Sequence, residues 1–178
     1  STPPAAIGGF VRHEDPAGGP RYWLGCFAAG PPLGVDNESD WMRMVFPGSG
    51  GPEHHGWYLL PEVNDEVLVI FEQGDARRGY VLGGLLNGKD KPFYKAGAVI
   101  ESGKVNQHAF RLKSGTHLLF DEKSGEEKIE LKNKDGKFTF MFEEKNGVTL
   151  KNESSGDKLV IDNKGNVTVT SANGDITI

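Results

Sequence analysis

Residues 117–170 read HLLFDEKSGEEKIELKNKDGKFTFMFEEKNGVTLKNESSGDKLVIDNKGNVTVT, and this stretch decides the fold. Apolar and polar side chains alternate along each run between the glycines, which is the pattern of β-strands with one apolar face. A glycine, usually beside Asn, Asp or Ser, recurs every nine to eleven residues from Gly115 to Gly174. Such residues supply the positive φ that tight chain reversals need. Residues 110–178 therefore predict a regular succession of short strands without a helix.

The alternation places one set of apolar side chains on a common inward face. We predict that this face is the core of a trimer, formed by Leu118, Phe120, Ile129, Leu131, Phe138, Phe140, Phe142, Val148, Leu150, Leu159, Ile161, Val167, Val169 and Ile176. The chain has no further segment to cover the face. The simplest solution is an intertwined triple-stranded β-helix or prism, in which three copies surround one axis and each supplies a wall. A single-chain solenoid or a flat meander is the alternative.

The first part of the chain differs from the second in composition and in the spacing of its strands. All ten prolines and all three tryptophans lie within residues 1–100. The clearest strand patterns there are Asp40–Phe46, Trp57–Leu60, Glu66–Phe71 and Tyr80–Leu86. Five or six short strands with long loops predict a closed barrel of the OB type. The whole chain is thus predicted to be all-β, with an OB-fold domain at 1–92, a transition at 93–109 and a β-helix spike at 110–178.

Composition excludes several classes of function. The net charge is -5 with no basic block, so no face is available to neutralise the phosphates of a nucleic acid. A single cysteine, Cys26, excludes an intrachain disulfide framework and fits synthesis in a reducing compartment. The sequence has no apolar run of about 20 residues and no signal-peptide pattern.

Few residues are candidates for catalysis or metal binding, and they are scattered along the sequence. His54 and His55 stand beside Glu53 and could ligate a metal, but the flanking glycines favour a solvated loop. The carboxylates between Asp36 and Asp40 lack the glycine and terminal glutamate of a calcium loop. We therefore predict no catalytic residue, no metal and no cofactor, and we expect the chain not to be an enzyme.

The aromatic residues of the first part allow two interpretations. Trp23, Trp41, Trp57 and Tyr58 could stack bases or sugars on the outside of a barrel. Packing in the core is the favoured interpretation, because the surrounding strands carry no basic patch.

Several motifs occur in the order found in a known family. The segment Glu38–Phe93 resembles the OB-fold domain of VgrG-type spike proteins, which occur in type VI secretion systems, contractile phage tails and phage-tail-like extracellular injection particles. The motifs are SDW at Ser39–Trp41, LPEVNDEVLV at Leu60–Val69, EQGD at Glu72–Asp75 and YVLGGLLNGKDKP at Tyr80–Pro92. The next segment, Arg111–Gly136, resembles the entry of that family into its β-helix.

The resemblance implies a homotrimer in which the OB domains form a collar and the C-terminal strands form a needle. It implies contacts with baseplate hub and inner-tube proteins, with a PAAR-like tip protein or effector cargo, and transiently with the target membrane. It also implies synthesis in the bacterial cytoplasm without a signal peptide, assembly into a phage-tail-like particle or virion, and delivery to the target cell envelope. The usual hub domains and HxH tip do not occur in these 178 residues, which predicts a minimal spike or a fragment of one.

The expected function is therefore that of a structural trimeric spike. It would pierce the target envelope and link the baseplate hub to the tip or cargo. The alternative is an OB-type module that binds nucleic acid or glycan and is carried on a β-stalk.

Overall fold

The structure of the chain, a computed structural model, describes residues 5–12, 21–25, 42–50, 55–75, 77–89, 91–94 and 96–177. Backbone contacts divide the chain into two compact units, Ser1–Lys91 and Pro92–Ile178. The described residues are nearly all β-strand, turn or loop, with one short α-helix. This confirms the prediction of an all-β chain.

The first unit is a closed five-stranded barrel. Its strands are β1 (Ala5–Arg12), β2 (Arg21–Gly25), β3 (Met42–Met44), β4 (Glu66–Phe71) and β5 (Gly79–Gly84). They pair in the order β1-β2-β3-β5-β4, and β4 pairs back to β1. Only the β3–β5 pair among them is parallel. A closed five-stranded barrel with such a crossover is the architecture of the predicted OB type.

Among the side chains that the structure describes, those of β3, β4 and β5 pack the barrel interior. Met42, Val67, Val69 and Val81 are at most 1% exposed, and Phe71 is also buried. Val67, Val69 and Phe71 occupy every second position of β4, so their side chains share the inner face. These buried residues, together with half-buried Met44, Phe46 and Leu60, form the core of this unit.

The predicted strand at Trp57–Leu60 is wrong. These residues form no ladder, and Trp57 and Tyr58 are 61% and 70% exposed. The expectation that both pack in the core is therefore wrong as well. The physical reason is closure of the barrel, which leaves no free strand edge for this β-prone segment to pair with. Instead the Tyr58 ring stacks on Phe46, with 4.8 Å between the ring centroids.

The second unit opens with small elements. A single turn of helix, α1 (Ala96–Val99), leads into the two-residue strands β6 (Ile100–Glu101) and β7 (Lys104–Val105), which pair with each other. These elements lie in the segment 93–109, where the sequence predicts a transition. The next strand begins at Gln107, three residues before the predicted start of the spike.

A seven-stranded antiparallel meander makes up the rest of the second unit. Its strands are β8 (Gln107–Arg111), β9 (His117–Asp121), β10 (Lys128–Lys132), β11 (Phe138–Glu143), β12 (Gly147–Asn152), β13 (Lys158–Ile161) and β14 (Val167–Thr170). The strands pair in chain order, with β8 and β14 at the two edges of the sheet. The backbone ladders are therefore formed within one chain.

Candidate functional site

The register of the meander brings the predicted inward side chains onto one face. Leu118 lies opposite Leu131, which lies opposite Phe140, and directly opposed residues of a sheet point to the same side. Followed through every strand, this first row consists of Phe110, Leu118, Leu131, Phe140, Leu150, Leu159 and Val169.

A second row runs parallel to the first, two residues away along each strand. It consists of His108, Phe120, Ile129, Phe142, Val148, Ile161 and Val167. His108 is its one polar member and lies at the end of the row, on β8. Phe140 and Phe142 join the two rows through an edge-to-face ring contact, with centroids 4.8 Å apart.

Two predicted positions lie beside these rows. Phe138 is opposite Asn152 at the end of β11, on the same face as the rows. Ile176 follows β14 outside any strand and is 51% exposed. Both line a groove on this face together with Leu150, Leu159 and Val169.

Most of this apolar face is open to solvent in the single chain. Ten of the fourteen predicted positions are between 40% and 64% exposed. Seven strands spaced about 4.8 Å apart, with two rows about 6.7 Å apart, give a patch of roughly 400 Å² even if it is treated as flat. Contiguous apolar patches of this size on soluble proteins mark interaction surfaces. The face is accordingly the strongest candidate site in the described part of the chain.

The opposite face of the meander mixes polar and apolar side chains. Its central row consists of Ala109, Leu119, Glu130, Met141, Thr149, Val160 and Thr168, and Leu119 is buried. His117 and Glu130 lie on it as a close pair, with Nε2 and Oε1 2.9 Å apart and both side chains largely buried. The other ring nitrogen of His117, Nδ1, lies 3.1 Å from the carbonyl oxygen of Gly115, so each ring nitrogen faces an oxygen atom. Lys132 lies between His117 and Thr139 in the same row. One face of the sheet is therefore almost wholly apolar, and the other is mixed.

Carboxylates hold the turns that connect the strands. Asp162 Oδ1 accepts hydrogen bonds from the backbone N–H groups of Lys164 and Asn166, at 2.8 and 2.9 Å, and Oδ2 accepts one from the Asn166 side chain. These donors lower the pKa of Asp162 below its usual value, the Asn166 side chain most strongly. Asp157 has a lowered pKa for a similar reason, since Ser155 and the backbone N–H of Ala172 donate to it.

A polar cluster on the barrel was not indicated by the sequence. Parallel pairing places Arg43 directly opposite Tyr80, and Arg43 Nη2 donates to the Tyr80 hydroxyl at 3.1 Å. That hydroxyl donates to Glu72 Oε2 at 3.2 Å, and Arg78 donates to the other carboxylate oxygen at 3.4 Å. The cluster ties β3, β5 and the turn after β4 together. The 37 residues between Arg43 and Tyr80 explain why no local pattern indicated it.

The metal and acid–base candidates gain no support from the structure. His55 is exposed and forms an isolated bridge with Gly50. Glu53, His54 and the carboxylates from Asp36 to Asp40 lie outside the described residues. Within the described ranges, no three His, Cys, Asp or Glu side chains are grouped so that they could hold a metal ion. The helices of the same ranges include none with the length and apolar character to span a membrane.

Comparison with protein-family models gives a match to the barrel. No curated protein sequence is significantly similar to the chain. Residues 28–86 match the family model described as the type VI secretion system/phage-baseplate injector OB domain. The matched range contains β3, β4 and β5, and with them the buried core of the first unit. The chain therefore carries an OB domain of the kind found in phage-baseplate and type VI secretion injectors, which indicates a structural role in a baseplate or spike.

Proposed function

We propose that this protein is a VgrG-type spike of a contractile injection machine and that it acts as a homotrimer that pierces the target cell envelope. The observation that carries the proposal is the two-row apolar face, open to solvent along seven strands, in a chain whose barrel matches an injector OB domain. A second copy of the same face is the natural cover, because it is equally apolar and equally long.

Burial of this face is large enough to drive association. The ten side chains that are 40–64% exposed would contribute roughly 8–15 kcal/mol per chain if fully buried, at about half of 1.5–3 kcal/mol each. The loss of translational and rotational freedom on association costs about 4–15 kcal/mol. Three such faces turned toward one axis would bury the rows in a common core and leave the opposite, mixed faces on the outside.

The intrachain pairing favours a particular form of the trimer. Because β8 to β14 pair in chain order, each chain supplies one complete wall of a three-walled prism. Strands interleaved from three chains would need these ladders to be broken. A wall with continuous ladders resists bending because many backbone hydrogen bonds must fail together, which suits a needle under axial load.

The remaining features of the proposed role follow from the family resemblance. The OB domains would form a collar on the baseplate hub and inner tube, and the needle would carry a PAAR-like tip protein or effector and touch the target membrane only transiently. The protein would be made in the bacterial cytoplasm, assembled into a phage-tail-like particle or virion and delivered to the target envelope. Its role would be mechanical and not enzymatic.

Native mass spectrometry of the full chain tests the trimer directly. We expect a species at three times the chain mass of 19.4 kDa. A folded monomer or a face-to-face dimer at micromolar concentration would contradict the proposal. Electron microscopy should further show a needle that projects from a threefold collar.

Two exposed aromatic side chains support a second candidate function. Trp57 and Tyr58 are 61% and 70% exposed on the barrel unit, and exposed aromatic rings can stack on bases or sugars. An OB-type binding module would bind single-stranded DNA or an oligosaccharide at micromolar concentration and lose that binding in Trp57→Ala. Absence of binding to both probes would leave the spike as the better account.

A further inference from the structure

Charges in the meander are sorted to opposite ends of its strands. Residues 107–170 carry eleven Lys or Arg and eleven Asp or Glu, so the sheet is neutral overall. Each of two rims consists of three turns together with the two strand residues on either side of each turn, and the rim of the turns 112–116, 133–137 and 153–157 holds seven of the cations and three of the anions. We name it the basic rim. The opposite rim, built from the turns 122–127, 144–146 and 162–166, holds seven anions and four cations, and we name it the acidic rim.

Part of this charge has no ion-pair partner among the residues that the structure describes. In the described residues, Lys134 and Lys158 of the basic rim form no ion pair, and neither does Glu122 of the acidic rim. At the acidic rim Glu144 faces another carboxyl group, that of Glu127, which raises the pKa of Glu144. Crowding of carboxyl groups is unfavourable unless cations are brought close to them.

The two rims also differ in the gaps between strands that their turns occupy. Because the meander reverses at alternate ends, turns at one rim occupy every second gap between strands, and turns at the other rim occupy the remaining gaps. Turns along one rim are about 9.6 Å apart and are offset by about 4.8 Å from those of the other rim. A rotation about an axis parallel to the direction in which the strands stack does not change the position of any turn along that direction. The turns of a basic rim then fit between the turns of the acidic rim of a neighbouring copy.

We propose that the walls of the trimer are joined by contact of the basic rim of one chain with the acidic rim of the next. The inference rests on the proposed threefold assembly and adds the surface that links its walls. A contact between two different rims is heterologous, and heterologous contacts close into a ring when the rotation allows it. The charges therefore give the ring a direction, since a wall placed the wrong way round would set like charges together.

Charge reversal at each rim provides the test. Lys134→Glu with Lys158→Glu reverses charge at the basic rim, and Glu122→Lys with Glu144→Lys does so at the acidic rim. Both pairs of substitutions together invert both rims and leave the net charge at -5. The readout is the concentration at which half of the chains are trimeric, measured in about 50 mM salt, with urea added to reach dissociation. Urea is uncharged and does not screen the rims.

Each single-rim variant should raise that concentration at least about tenfold, and the effect should shrink in about 0.5 M salt, where the screening length falls to a few ångströms. The variant with both rims inverted should recover the wild-type value, even if a single-rim variant does not fold. If the wild type is trimeric and all variants have the same half-trimer concentration, rim pairing alone is wrong. The same holds if the doubly inverted variant shows the sum of the defects of the two single-rim variants. A wild-type chain that remains monomeric would overturn the proposed trimer itself.

Discussion

Phe140 lies directly opposite Leu131 in the antiparallel ladder between β10 and β11, and Leu150 flanks it on the other side. All three side chains belong to the first apolar row, and Phe140 stands at its centre. A charge at this position would stand in the middle of the face that we propose to be the trimer core. Because an unpaired carboxylate buried among apolar groups costs several kcal/mol, one substitution here should be decisive.

Phe140→Asp is expected to abolish the trimer and leave the barrel folded. Sedimentation or native mass spectrometry should give a mass near the 19.4 kDa of one chain. Thr168→Asp is the matched control, since Thr168 is exposed and pairs with Val160, which belongs to the opposite face. An unchanged mass and melting curve for Phe140→Asp would show that this face is not the core.

Gly79 is required by the packing of Met42. A Cβ at Gly79 would lie 2.4 Å from Sδ of Met42, whose side chain is 1% exposed and would have to repack inside the barrel. Gly79→Ala should therefore destabilise the barrel by about 1–3 kcal/mol, as overpacking does. Gly84→Ala is the control on the same strand, because the nearest atom there is 3.8 Å away. Thermal melts of the two variants should differ; equal melting temperatures would contradict the packing argument.

Gly147 combines a positive φ with a close backbone approach. Its φ is 84°, and an added Cβ would lie 2.1 Å from the carbonyl oxygen of Ile161. Gly165 has a similar φ of 82° and open space around it. Gly165→Ala should cost about 1–2 kcal/mol for the backbone alone, and Gly147→Ala should cost clearly more. Urea denaturation measures both, and a smaller loss for Gly147→Ala would show that β12 and β13 separate easily.

Asp162 should make the second unit sensitive to acid. Its pKa in the folded chain is lowered from 3.8, so the carboxylate stabilises the fold fully above about pH 4. That contribution is lost as the pH falls through the lower folded pKa. Asp162→Asn should therefore lower the urea midpoint at pH 7, with a smaller difference from wild type at pH 2.5. Asp135→Asn is the control, since the Asp135 side chain accepts no hydrogen bond from the described residues. A difference for Asp162→Asn that does not change with pH would contradict this account.

Local pattern predicted the meander better than the barrel. Strand alternation is a property of neighbouring residues, so the apolar positions from Leu118 to Val169 could be assigned before any pairing was known. The Trp57–Leu60 segment has equally β-prone residues but forms no strand. Whether such a segment joins a sheet depends on a free edge, and the closure of β4 onto β1 removes that edge.

The separation of charge between the two rims was not recognised in the sequence, for a different reason. The turns KNKDGK and DEKSGEEK follow each other in the chain and read as a mixture of both signs. They lie at opposite rims, because successive turns of a meander alternate between its two ends. Comparison of every second turn is the signal that could have revealed the rims.

The class of the chain, the strands of the second unit and the face to which their apolar side chains belong follow from local sequence pattern. These features arise from a period of two and from glycines at positive φ, which are set within a few residues. Only the tertiary structure decided that β3 pairs with β5, that Arg43 meets Tyr80, and that Lys and Glu separate to opposite rims. Those relations join residues far apart in the chain, and they depend on which strands become neighbours.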